Sequence, residues 1–166
     1  MDTISHGLWG GLTFGRRSKR FFIAAIIFGM LPDIIPFGYS FLTSFGEYAA
    51  GVAPFEVMPH YLLSLYTVTH SLVISMGTCL IALAWFRRQA MPLFAWPLHL
   101  LFDIPSHSLA FFPTPYLWPF ATSFFDGTPW VTPWVFIMNW SVLLVLALAF
   151  ALRRYRKRKR SPHRSG

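Results

Sequence analysis

The sequence predicts an all-α fold, a polytopic membrane helical bundle with about four to five membrane-inserted helices. Three observations predict it. The apolar fraction is 55% and the charged fraction only 12%, where a soluble domain carries about 25% charged residues. All fourteen Lys and Arg fall in three short clusters, at 16–20, 87–88 and 153–164, which is the positive-inside pattern of membrane proteins. Between those clusters lie long apolar stretches without a basic residue.

In chain order, residues 2–15 read as a short, partly inserted helix whose Gly10-Gly11 pair allows close helix contact. Residues 21–36 leave the first basic cluster as a crossing. Residues 66–86 are a run of twenty-one with His70 as the only ionisable side chain, apart from Tyr66 and Cys79, ending at Arg87-Arg88. Residues 91–110 leave that second cluster as the next crossing, with Pro97 and Pro105 as expected kinks. Residues 132–152 are twenty-one without a charge, ending at the Arg153-Arg154 tail. At 1.5 Å per residue the two long runs can span about 30 Å of hydrocarbon.

One topology satisfies all five segments: N-terminus outside, basic turns inside, C-terminal tail cytoplasmic. The connections 37–61 and 111–131 then face outward, with Glu47, Glu56 and Asp126 but no Lys or Arg. The second is dense in Pro and aromatics and is expected along the interface, where Trp and Tyr are enriched; Asp126-Gly127 reads as a turn within it. Residues 1–152 form a single membrane-embedded domain. Residues 153–166 are expected as a disordered basic tail on anionic headgroups.

A formal charge of +8 would suit nucleic acid, but the confinement of that charge to the turns and tail excludes nucleic acid as the expected partner. Membrane lipids take its place. A lone cysteine, Cys79, rules out an intramolecular disulfide and a thiolate zinc site. A cleaved leader is not expected, because Asp2 stands where a basic n-region belongs.

Asp2, His6, Asp33, His70, His99, Asp103 and His107 lie in or at the ends of apolar segments. A charged Asp at a helix centre costs about 2.5–3.5 kcal/mol on the insertion scale, so several together need a shared compensation. Asp2 and His6 are i, i+4; His99, Asp103 and His107 are i, i+4, i+8, so each set shares a helix face. Counted from the basic turns, these side chains sit at heights of roughly 15–28 Å. Four segments therefore bring His and Asp to one layer in the outer half of the membrane.

Imidazoles and carboxylates converging in a low-dielectric pocket suit a divalent metal such as zinc, as one or two ions. Zinc with an open position activates water for ester or phosphoester hydrolysis. Blander readings exist: a lone helical His is more often a hydrogen-bonded core residue, Asp2 suits a helix N-cap, and Asp33 after Pro32 suits a kink. His60 and His163 are expected to be solvated.

At these residues the chain resembles the YdjM-like family of LexA-regulated inner-membrane metal-dependent hydrolases. The matching elements are Asp2-Thr3-Ile4-Ser5-His6-Gly7, Leu31-Pro32-Asp33, Thr69-His70-Ser71, and His99-Leu100-Leu101-Phe102-Asp103 followed by His107. That family is in turn distantly similar to zinc-dependent phospholipase C. The resemblance implies metal ligands at His6, Asp33, His70, His99 and Asp103 and hydrolysis of an ester or phosphoester in the inner membrane. The chain departs at Ile35, where the family often has a second acid, and at Leu65-Tyr66, where it often has His-Arg. The first removes a ligand for a second metal; the second removes a cation that would meet a substrate phosphate.

The expected function is a membrane-bound metal-dependent hydrolase of a lipid or envelope-derived substrate, with His107 or Asp2 as outer ligand, orienting group or general base. Two rivals stand beside it. A transporter or proton relay also uses intramembrane Asp and His, and a non-catalytic scaffold would use a metal to staple helices.

Overall fold

The chain winds its helices around a polar layer and turns its apolar side chains outward. The structure, a computed structural model, describes residues 1–43 and 60–160. Most of the first outer connection, with Glu47 and Glu56, lies outside the described residues, as does His163. Among the described residues the fold is all-helical: α1 (Thr3–Phe14), α2 (Lys19–Thr43), α3 (His60–Thr69), α4 (Leu72–Phe86), a 3₁₀ segment (Arg87–Phe94), α5 (Ala95–Ser106) and α6 (Pro133–Arg160).

Two helices are long and apolar enough to cross a membrane, Lys19–Gly38 and Pro133–Arg156. A third crossing exists if α3 and the stretch from α4 to α5, bent by 53° at their junction, act as one span. This corrects the expectation of four to five inserted helices to two or three. The reason is length: α1 and α5 have 12 residues each, about 18 Å, well short of about 30 Å of hydrocarbon. The expected 66–86 crossing is also broken. α3 ends at Thr69, His70 lies in the break, and Ser71 caps α4 by accepting from the Ile74 amide at 3.1 Å.

The outward surface fits lipid. Only 11% of the apolar window of α6 is buried, and 22% of that of α2. Fully buried positions instead include His6, His70, His99, Asp103, Ser71 and Ser75. A water-soluble domain distributes these the other way round, and an apolar surface this extensive marks contact with membrane or partner.

Close backbone contact between α1 and α2 sets up the polar layer. A Cβ on Gly29 would sit 2.6 Å from the His6 carbonyl oxygen, and one on Gly10 would sit 2.5 Å from that of Ala25. Only glycine permits this approach, as in other small-residue helix contacts within membranes. Ala25 and Ala95 are buried against Gly10 at this contact. Across α1, Trp9 Nε1 donates to Asn139 Oδ1 at 2.9 Å, tying α1 to α6.

The aromatic connection after α5 is stitched to the helix ends. The amides of Gly127, Thr128 and Trp130 donate to the carbonyls of His107, Pro105 and Ser106, and the Leu72 amide donates to Tyr116. Ser71 Oγ donates to the Trp118 carbonyl. At the other end, α6 runs on through the arginines to Arg160, so the first part of the expected disordered tail is helical. Arg and Lys are good helix formers, and no Gly or Pro interrupts them there.

Candidate metal centre

Four side chains from three parts of the chain meet in one buried point. Asp33 comes from α2 between Pro32 and Pro36, His70 from the break between α3 and α4, and His99 and Asp103 from successive turns of α5. One ligand atom from each lies within 4.8 Å of the others. His99 Nε2 is 2.9 Å from Asp103 Oδ2 and 3.5 Å from Asp33 Oδ1. His70 Nε2 is 3.4 Å from Asp33 Oδ1 and 3.7 Å from Asp103 Oδ2. Donors around a tetrahedral zinc at 2.0–2.1 Å would be about 3.3 Å apart, and these separations straddle that value.

The tautomers are set from outside. His99 Nδ1 faces the Gly29 carbonyl at 2.8 Å, and a carbonyl only accepts, so Nδ1 carries the proton. His70 Nδ1 faces the Tyr66 carbonyl at 3.2 Å and Thr69 Oγ1 at 3.0 Å, while Thr69 donates on to Tyr66. In each neutral ring Nε2 is then a bare lone pair aimed at carboxylate oxygens. This is the orienting arrangement found behind metal-binding histidines.

Each carboxylate is divided in the same way. Asp33 Oδ2 accepts from Thr3 Oγ1 at 2.7 Å, leaving Oδ1 to the centre. Asp103 Oδ1 accepts from His6 Nε2 at 2.8 Å and from the Met1 amine, leaving Oδ2 to the centre. His70 Nε2, His99 Nε2 and Asp103 Oδ2 are all buried without a hydrogen-bond partner. Buried polar atoms are rarely left so, and with both rings neutral the three are acceptors that repel each other unless a cation, a proton or a metal ion, lies among them. Asp103 Oδ1 pairs with the Met1 ammonium, and no Lys or Arg pairs with either aspartate among the described residues. The donor set therefore fits a divalent metal held by Asp33, His70, His99 and Asp103.

The remaining expected residues fall around this group. His6 lies outside the four, on the far oxygen of Asp103, its ring stacked on His99 at 3.6 Å between centroids. Asp2 caps α1 through the Ser5 amide at 2.9 Å, and its other oxygen accepts from Trp140 Nε1 at 3.2 Å, so both oxygens are engaged. His107 lies just past the end of α5, with Nδ1 3.2 Å from Thr114 Oγ1 and Nε2 3.8 Å from Asp103 Oδ1. His60 begins α3 and is exposed.

Several contributors went unread in the sequence. Thr3 holds Asp33, and Tyr66 stacks on the His70 ring at 3.9 Å while its hydroxyl donates to the Phe112 carbonyl at 3.0 Å. Trp96 Nε1 donates to the Thr69 carbonyl at 2.7 Å and pins the end of α3. None belongs to a residue type that advertises metal chemistry.

A cavity of about 260 Å³ reaches the group at Asp33, and His107, Phe37, Tyr66, Phe112 and Trp130 are among the other residues that line it. The Asp33 side chain is 13% accessible against 1% for Asp103, so the group is approached from the Asp33 side. No protein family, curated protein or solved structure matches the chain.

Proposed function

We propose that the protein is a membrane-embedded, metal-dependent hydrolase of an ester or phosphoester in a lipid or envelope-derived substrate. The observation that supports this most is the set of three orphaned acceptors, on His70, His99 and Asp103, beside a cavity that reaches Asp33. A divalent ion, with zinc first, would supply Lewis acidity and activated water there. The chain's own residues do the rest. Asp33, His70, His99 and Asp103 hold the ion, while Gly29, Tyr66, Thr3 and His6 fix the direction of each ligand. His107 lines the cavity with one nitrogen turned toward Asp103, the position of a general base or of a donor to the leaving group.

The cavity supports that substrate class. Aromatic side chains dominate its wall, no Lys or Arg lines it, and its volume lies just under the roughly 300–1,000 Å³ of drug-sized ligand sites. A single chain or small headgroup fits, with the reacting group at Asp33. In the orientation proposed from the basic turns, this mouth opens toward the outer leaflet of the inner membrane.

The proton-relay reading has an observation of its own, the series His6, Asp103, His99, Asp33, His70, with successive separations of 2.8, 2.9, 3.5 and 3.4 Å. The cavity that reaches Asp33 favours a site open to substrate over a closed path. The test is turnover by the purified protein in detergent with zinc or manganese, against lipid phosphoesters and water-soluble esters. Metal-dependent release from the lipid substrates, lost in His107→Ala, is expected. Proton flux in liposomes with no turnover of any ester would overturn the hydrolase reading.

A further inference from the structure

A second cavity, of about 650 Å³, lies far from the metal centre, between the end of α1 and the end of α6. Four guanidinium groups line it, Arg16, Arg153, Arg154 and Arg156, and no acidic side chain does. Its floor is apolar, with Leu12 and Phe150 among the lining residues. Two of the arginines are positioned: Arg16 Nε donates to the Leu12 carbonyl at 2.7 Å, and the Arg154 guanidinium lies 4.8 Å over the Phe150 ring. Phe150 is itself stacked on Phe22 of α2 at 5.9 Å.

We infer that this groove is a binding site for an anionic phospholipid, seated with its phosphate among the arginines and a chain along the apolar floor. The order of residues along α6 carries the inference. The helix is apolar through Leu146, Ala149 and Phe150 and then cationic from Arg153, within a segment long and apolar enough to cross a membrane. That sequence of surfaces, apolar and then basic, is the mirror of an anionic lipid lying along the same axis. Because α1 is a short helix, the space beside the lower half of α6 is left open for such a lipid. A nucleic acid or an acidic peptide would meet the arginines but leave the apolar floor uncovered. Guanidinium groups suit phosphate oxygens by their forked donors, and each basic residue near an anionic surface contributes about a fivefold gain in binding. The inference is independent of the hydrolase reading.

The test counts lipids retained by the full chain after detergent exchange, by native mass spectrometry, with dioleoyl phosphatidylglycerol and dioleoyl phosphatidylcholine as probes. One phosphatidylglycerol per chain should persist and phosphatidylcholine should not. The double variant Arg153→Gln, Arg154→Gln should weaken retention by roughly 25-fold, whereas Arg87→Gln, Arg88→Gln, which alters a basic turn outside the groove, should leave it unchanged. Circular dichroism confirms that the variants remain folded. Equal retention of the two lipids, or equal loss in both double variants, would overturn the site. So would full displacement by millimolar inorganic phosphate, which would show that free phosphate satisfies the arginines without a chain on the floor.

Discussion

Helices α5 and α6 divide the work of the molecule between them. The first is 12 residues long and buries His99, Leu100 and Asp103 completely or nearly so. The second is 28 residues long, and its apolar window is 11% buried. The long helix has the length to meet a bilayer on most of its surface. The short one cannot cross alone and is held by packing against α1, α2 and α4. Polar side chains are therefore tolerated on α5, because its buried face meets other helices and not lipid. The lesson is that helix length alone does not place the polar layer: α6 is apolar and plain, whereas α2, also long enough to cross, contributes Asp33 on a face covered by the short helices.

The sharpest way to break that comparison is within the layer itself. If the four side chains hold a metal as proposed, His70→Ala removes one donor, and metal affinity should fall by more than 100-fold. His6→Ala removes the 2.8 Å support of Asp103 and the stacking on His99, and affinity should fall by the 10–100-fold expected of an orienting partner. Isothermal titration with zinc in detergent reads both. Equal losses would place His6 among the ligands, as the sequence alone suggested.

A smaller effect compares the packed and the lipid-facing helices. Gly29→Ala places a methyl group 2.6 Å from the His6 carbonyl oxygen, and the α1–α2 contact should lose about 1–3 kcal/mol by overpacking. Val145→Ala, on the exposed face of α6, should stay within about 0.5 kcal/mol. Thermal unfolding in one detergent orders the two. A larger loss at Val145 would show that α6 is packed against protein and not against lipid.

Much of the site was legible because two independent regularities agreed. The i, i+4 spacing of His99 and Asp103 put both on one face, and height above the basic turns put Asp33 and His70 at the same level. Height says nothing of direction around a helix axis, which is why His6 reads as a ligand in the sequence and sits on the outer oxygen of Asp103 in the structure. Asp2 follows the cap reading, since an Asp just before a helix is held by the amides of its first turn.

The fold was less legible where breaks come without Pro or Gly. Nothing in Thr69-His70-Ser71 marks a helix end by composition; the break is maintained by Ser71 as a cap and by the Tyr116 and Trp118 carbonyls from a distant segment. Hydropathy counts such a segment as one crossing. The 3₁₀ segment Arg87–Phe94 likewise consumes residues that the sequence assigns partly to the next crossing. Both effects are tertiary, and both lower the number of full spans.

The most direct test of the metal centre is elemental analysis of detergent-purified protein, wild type beside Asp103→Asn. The change keeps the shape of the side chain but removes the charge facing His99 and His70. About one equivalent of zinc or another divalent metal in the wild type, absent from a variant with native circular dichroism, is the predicted result. Wild-type protein that stays metal-free after reconstitution with zinc and manganese, and that unfolds no differently from the variant, would contradict the account.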